Sequence, residues 1–436
     1  MPDNARLAAL TALERCRRSG AWSSAAMDAV ISKYKLDPRS AALASHIFLG
    51  VMQNVTLIDH CIDCSCTTKA KVEPKIRDIL RCAVYQLAFM DKIPANAAVN
   101  EAVEQCKTLG YSRASGFVNA VLRSITRNKE EIFEIQGKGT AEYLSIRYSH
   151  PMWLAEYMTE RHGYDFAESF FAENNTEPPI TIQVNTLKTT ATELKAMLEA
   201  SGVEAKLHPW LENCLTVKGN VAAMPGFNDG LFYVQDPAAR AAVSAAGLKP
   251  GMKVLDACAA PGGKSFAAAI DMRNSGSILS CDLHEKKLGL IKSGVDRLGI
   301  DIISTKAHDA RQPFNDEFDA IIADVPCSGY GVIRKKPDIR FKPEAERLSL
   351  PDIQLAILEN LSCALKPGGT LIYSTCTVFS EENEDVVSSF LKSHSEFETV
   401  DFTMPNGKTA ECGMHTFWQH IDGTDGFFVC KLRRKS

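Results

Sequence analysis

The chain has 436 residues, 45% of them hydrophobic, a formal net charge of −4 and 14 cysteines. The length suits two or three domains with a sizeable core, and the near-neutral balance excludes a globally basic nucleic-acid binder, so any RNA contact must rest on local basic patches. Irregular cysteine spacing excludes a disulfide framework, no apolar signal region opens the chain, and no apolar run approaches the roughly 18 residues of a membrane span, which together point to a soluble, cytoplasmic protein with reduced thiols and no membrane partner.

From Ala5 to about Asn128 the apolar residues recur at helical spacing, as in Ile76, Ile79, Leu80, Ala83, Val84 and Leu87, and again in Val118, Val121, Leu122 and Ile125. Pro38, Pro74 and Pro94 divide this run, so residues 1–128 are expected to form an all-α bundle without strands. The region holds 17 Lys and Arg, among them Arg15, Arg17 and Arg18, against 11 Asp and Glu, an excess of six that suits RNA docking better than a merely solvated face. Cys61, Cys64 and Cys66 include a CxxC, half of a zinc site. No second half-site stands nearby, so they read as buried thiols at a helix end, and no metal is expected.

Residues 129–150, polar and carrying Gly137 and Gly139, read as a linker with one short helix. Over 151–234 the pattern is a helix from Trp153 to Phe171, the strand ITIQVNT after Pro178 and Pro179, a helix opened by a Thr cap, and short strands near Leu215 and Phe232. That alternation predicts a small α/β subdomain. From 235 to 436, strands at Lys253 to Asp256, Ile278 to Asp282, Ile302 to Thr305, Phe318 to Asp324 and Thr370 to Ser374 alternate with helices, which predicts a doubly wound parallel sheet.

The first of these strands runs into DACAAPGGKS, Asp256 to Ser265, ahead of an alanine-rich helix. Gly262 and Gly263 let backbone N–H groups approach a ligand, and the helix start adds the positive end of its dipole, so the turn reads as a cofactor cradle. It is not a phosphate loop, because the glycine needed five residues before Gly263 is Cys258. Asp282, Asp309 and Asp324 close or follow later strands and should converge on the turn, since ligands of open parallel sheets lie outside the carboxyl ends of the strands. Asp282, closing the second strand, can accept both ribose hydroxyls of a nucleoside. Cys327 in DVPCSGYG and Cys376 in YSTCT lie just past apolar strands of the same sheet, and spacing alone does not decide which one attacks. Beyond Cys327, Tyr330 and Phe341 are interleaved with Arg334, Lys335, Lys336, Arg340 and Lys342, a mix suited to base stacking and phosphate contacts, with a plain solvated loop as the alternative.

DACAAPGGK, DVPCSG and YSTCT followed by SEENED resemble the RNA cytosine-5 methyltransferases of the Sun or Fmu family, and the resemblance covers nearly the whole chain. It implies a NusB-like bundle, an RNA-recognition-like subdomain and a Rossmann-like seven-stranded methyltransferase domain whose last strand, Phe427 to Leu432, is antiparallel. The family's Arg-x-Asn element falls where this chain has Gln183, Val184 and Asn185, without the arginine. S-adenosylmethionine is the implied cofactor, held by Cys258, Ala259, Ala260, Pro261, Gly262, Gly263, Lys264, Asp282, Asp309 and Asp324. Cys376 is the implied nucleophile at carbon 6 of cytosine, with Cys327 assisting release. Asp324, kept protonated by an apolar or anionic setting, would contact ring nitrogen 3. Both cysteines and all three aspartates are present, which argues against a non-catalytic RNA-binding assembly factor. The implied partner is 16S ribosomal RNA, unassembled or in an early assembly state, acted on by a monomer with no DNA involved. Transfer RNA or large-subunit ribosomal RNA is the alternative substrate.

Overall fold

The computed structural model describes residues 4–19, 23–66 and 72–436. It separates into two compact units, Met1–Thr176 with Ile333–Lys342, and Glu177–Val332 with Pro343–Ser436. No single helix among the described residues is long and apolar enough to cross a membrane.

The first unit contains α1 (Asn4–Ser19), α2 (Ser23–Tyr34), α3 (Pro38–Gln53), α4 (Val55–Cys64), α5 (Pro74–Phe89), α6 (Ala95–Thr108), α7 (Ser115–Arg127), α8 (Lys129–Phe133), α9 (Ala141–Arg147), α10 (Met152–His162) and α11 (Tyr164–Glu173). Pro38 and Pro74 open their helices at the first turn, where a missing N–H costs nothing, and the Asp37 side chain caps α3. The expected stripes face one core, with Ile79, Leu80, Val84, Val118 and Leu122 fully enclosed and Leu87 at its margin. Residues 129–150 hold two short helices where one was expected, and Ile135 between them is buried in the same core. The helix expected from Trp153 to Phe171 is two helices, because Gly163 adopts φ +85° between them, a conformation β-carbons disfavour. Of the three clustered cysteines only Cys61 is buried; Cys64, on the last turn of α4, is exposed and Cys66 is half-buried.

The segment Ile333–Lys342 overturns an expectation. Arg334 and Arg340 are not available for phosphate, since both are buried within the helical unit. Arg334 pairs with Glu173, and Arg340 donates to the carbonyls of Gln53 and Asn174 and to Asn175 Oδ1. Gln53 ends α3 and Asn174 caps α11, so the guanidinium serves carbonyls that a helix end leaves without partners. Burial pulls Arg340 down to about 9, so it is still charged at neutral pH. Lys335, Lys336 and Phe341 remain exposed. In the second unit Tyr330 is also enclosed, its ring 5.2 Å from that of Phe379, which removes it as a base-stacking platform.

The second unit begins with an antiparallel sheet of β1 (Ile180–Val184), β2 (Ala205–Leu207), β3 (Cys214–Val217) and β4 (Phe232–Val234), in the order β2-β3-β1-β4. Helix α12 (Ala191–Ala200) carries the expected Thr cap, completed as a capping box by Glu193. Gln183 and Asn185 are buried, and Asn185 Nδ2 donates to the carbonyls of Gly230 and Leu298, each at 2.9 Å.

The main sheet comprises β5 (Lys253–Asp256), β6 (Ser277–Asp282), β7 (Ile303–Ala307), β8 (Phe318–Asp324), β9 (Leu365–Thr375) and β10 (Phe397–Thr399), with β11 (Phe402–Thr403) and β12 (Thr409–Ala410) as a separate hairpin, then β13 (Met414–Phe417) and β14 (Phe427–Arg434). Its path is β7-β6-β5-β8-β9-β14-β10, the seven strands expected, with β13 pairing β14 off that path. Strands β5 to β9 are parallel and β14 is antiparallel to β9, as the resemblance implied. The connecting helices are α13 (Pro237–Ala245), α14 (Gly263–Asp271), α15 (Glu285–Leu298), α16 (Glu344–Leu348), α17 (Leu350–Cys363), α18 (Glu384–Ser393) and α19 (Gln419–Asp422). The strand order reverses between β5 and β8, which places the ligand crevice outside their carboxyl ends.

Candidate active site

The cradle forms where β5 ends. Gly262 takes φ +113° at the start of α14, and a β-carbon there would stand 2.5 Å from the Phe266 ring, so only glycine fits. A β-carbon on Gly263 would lie in ordinary van der Waals contact with the Gln235 side chain, at 3.5 Å. Below the turn lies a polar group that sequence reasoning missed. Asp256 is fully buried, its Oδ2 accepts from Ser265 Oγ at 2.6 Å, and its Oδ1 has no hydrogen-bond partner among the described residues. Burial pushes this carboxyl up to about 7 against the Ser265 hydrogen bond and the Lys264 charge, with Asp324 and Asp282 adding to the rise. Burial likewise raises the Cys258 thiol, and the same two aspartates act on it.

The three predicted aspartates are used differently. Asp282 is buried and accepts the His284 amide on Oδ1 at 2.9 Å. Asp309 is gripped by Arg311, with Nη2 to Oδ2 at 2.7 Å, and this hydrogen bonding holds its carboxyl below the usual range. Asp324 takes Lys264 Nζ on Oδ2 at 2.6 Å and Ser374 Oγ on Oδ1 at 3.0 Å. The apolar or anionic setting expected around Asp324 is therefore corrected to a cationic one. Burial opposes the Lys264 charge, but Asp324, Asp256 and Cys376 together outweigh it and hold the ammonium above its ordinary value.

Register explains how the two cysteines meet. Asp324 on β8 pairs with Ser374 on β9, so the chain leaves both strands at the same level. Cys327 and Cys376 then stand as half-buried thiols with their sulfurs 3.1 Å apart, in contact but well beyond the roughly 2.05 Å of a disulfide. The Cys376 amide donates to Cys327 Sγ at 3.2 Å. Hydrogen bonding with Cys376, then burial, holds the Cys327 thiol well above its ordinary value. Two thiolates in contact would repel, so the pair carries at most one negative charge.

Around the thiols lies a buried polar shell from Gln354, Glu382 and Asn383. SEENED was visible in the sequence as a motif, but nothing local showed what its side chains would reach, and Gln354 carried no signal.

The glycine turn, the start of α14 and the buried acid at the end of β6 suit a nucleoside cofactor such as S-adenosylmethionine. Three family models match the chain: the NusB family over residues 3–127, a ferredoxin-like domain of RsmF/B-like methyltransferases over 150–223, and 16S rRNA methyltransferase RsmB/F over 245–433. The probable ribosomal RNA small subunit methyltransferase B of Bacillus subtilis (strain 168) is 36% identical over 98% of each chain. Ribosomal RNA small subunit methyltransferase B of Vibrio cholerae is 31% identical over 99% of this chain and 98% of that one. The crystal structure of PH0851 superposes with a TM-score of 0.80 at 30% identity, covering 100% of this chain and 99% of that one.

Proposed function

The chain belongs to the ribosomal RNA small subunit methyltransferase B family, and from that membership we propose that it methylates carbon 5 of a cytidine in 16S ribosomal RNA through a bond between Cys376 and carbon 6. The observation that carries this reading is the contact of the Cys327 and Cys376 sulfurs at 3.1 Å beside the cofactor turn. The cradle at Cys258, Ala259, Ala260, Pro261, Gly262, Gly263 and Lys264, with Asp282 and Asp309, would hold the cofactor. When bound, S-adenosylmethionine supplies an electrophilic methyl group.

Carbon 5 of cytosine is a weak nucleophile until a thiolate adds at carbon 6. Cys376 forms that bond, and the displaced electron pair is taken up through ring nitrogen 3 with a proton from the Lys264–Asp324 pair. Once Cys376 is a thioether it no longer raises its neighbour, so Cys327 can release its proton to solvent, with the Cys376 amide donating to the resulting thiolate. After carbon 5 has been methylated, Cys327 accepts the carbon 5 proton, the carbon 6–sulfur bond breaks, and nitrogen 3 returns its proton. The thiols end as they began, and one proton has been released in all.

The basic excess of the helical unit and its NusB match support RNA docking there. The test uses purified protein, a 16S ribosomal RNA transcript and labelled S-adenosylmethionine. Cys327→Ala should accumulate a protein–RNA adduct that survives denaturing electrophoresis and requires both RNA and cofactor. Cys376→Ala should give neither adduct nor product. Adduct from Cys376→Ala alone would exchange the two roles, and a methyl group found at another atom would overturn the reading.

A further inference from the structure

Glu382 and Asn383 are consecutive, fully buried residues at the start of α18, yet they address different cysteines. Glu382 Oε2 accepts from the Ser328 amide at 2.9 Å, immediately after Cys327, and from Gln354 Nε2 at 3.0 Å. The same Gln354 nitrogen donates to the Pro326 carbonyl at 3.0 Å, immediately before Cys327. Asn383 Oδ1 accepts from Thr375 Oγ1 at 2.5 Å, and its Nδ2 donates to the Thr377 carbonyl at 3.2 Å, the two residues flanking Cys376. Cys376 is thus gripped on both sides by Asn383, and Cys327 by Glu382 on one side and by Gln354, itself bonded to Glu382, on the other. The Tyr373 hydroxyl donates to the Glu382 carbonyl at 2.6 Å and ties the grip to β9.

A buried carboxyl is a costly way to hold a loop. Burial pushes Glu382 up, Oε1 has no hydrogen-bond partner among the described residues, and an apolar side chain would pack there without that cost. What a carboxyl does and an alkyl group does not is accept the Ser328 amide and the Gln354 amide together. This argues for placement of Cys327 rather than for stability.

We propose that Glu382 and Asn383 are positioning residues that place the two thiols separately, Asn383 setting Cys376 for attack and Glu382, with Gln354, setting Cys327 for release. The inference rests on the division of labour proposed above. Neither side chain can touch the base, because both are enclosed.

The test separates attack from release in the full-length protein with 16S ribosomal RNA transcript. Glu382→Ala should form adduct at the wild-type rate but release product about a hundredfold more slowly, so that adduct accumulates as in Cys327→Ala. Asn383→Ala should slow adduct formation by a similar factor, both alone and in the Cys327→Ala background, without accumulation. Glu382→Gln and Asn383→Asp, which keep the acceptors for Ser328 and Thr375, should restore at least a tenth of the wild-type rates of the affected steps. Calorimetry should show unchanged cofactor affinity in all four, which certifies folding; if an alanine variant does not fold, its conservative partner carries the same test with a smaller defect in the same step. Equal slowing of attack and release in both variants, or the opposite assignment, would overturn the proposal. Absence of adduct from Cys327→Ala itself would instead overturn the covalent reading on which it stands.

Discussion

The two halves of the candidate site are built on opposite principles. The cofactor turn comes from ten consecutive residues, Asp256 to Ser265, and works through backbone: a glycine at φ +113° and a helix start. The thiol pair draws on four separated stretches, around Cys327, Gln354, Cys376 and Glu382, and works through side chains that grip neighbouring main chain. A backbone cradle tolerates change around it as long as its glycines remain. A gripped pair fails when any distant partner moves. Lys264 joins the halves, since it leaves the turn helix and ends on Asp324, three residues before Cys327.

Breaking that joint should have the largest effect. Lys264→Met leaves Asp324 without its cation and removes the proton-bearing pair, so methylation at saturating cofactor should fall about 10²- to 10⁴-fold, measured by single-turnover transfer of a labelled methyl group. Full single-turnover rate at saturating cofactor would confine Lys264 to the turn. Next in size, Asp282→Ala removes an acceptor from the turn side only, and cofactor affinity should drop about ten- to a hundredfold by calorimetry. The thiol side should be untouched, so the Cys327→Ala adduct should still form in this variant at saturating cofactor.

A test confined to the turn, read as stability rather than activity, concerns the buried acid beneath it. Burial lifts the Asp256 carboxyl from an ordinary 3.8 in the unfolded chain to about 7 in the folded one, so the folded state holds its proton more tightly between those values. Its contribution is full below about pH 4 and is lost as pH rises toward 7, with a slope of at most about 1.4 kcal/mol per pH unit. Asp256→Asn cannot titrate, so the stability of the wild type relative to this variant should decline across that window in urea unfolding. A constant difference from pH 4 to 7 would show that Asp256 is not held protonated.

Much of this molecule is written in local pattern. The βα alternation, the prolines opening α3 and α5, the Thr190 cap and the glycine turn each depend on residues within one turn or one strand of each other, so their spacing is visible without a fold. Where local pattern misled, a distant partner had intervened. The Arg334 to Lys342 stretch has the composition of an RNA-contacting loop, but Arg340 finds helix-end carbonyls at Gln53 and Asn174, more than 160 residues away in the chain, and is buried there. Strand β2, three residues long, is too short for its period to register.

The sequence by itself determined the helical character of the first 128 residues, the βα alternation from Lys253 to Ser374, the cofactor turn and the presence of two thiols at strand ends, because each follows from residues adjacent in the chain. Only the tertiary structure decided that the sulfurs touch, that Lys264 and not an apolar wall faces Asp324, and that Gln354, Glu382 and Asn383 hold the pair. Those contacts depend on the β8–β9 register and on α17 and α18 returning to the same strand ends, and no spacing along the chain encodes a distance between segments that meet only when the sheet has closed.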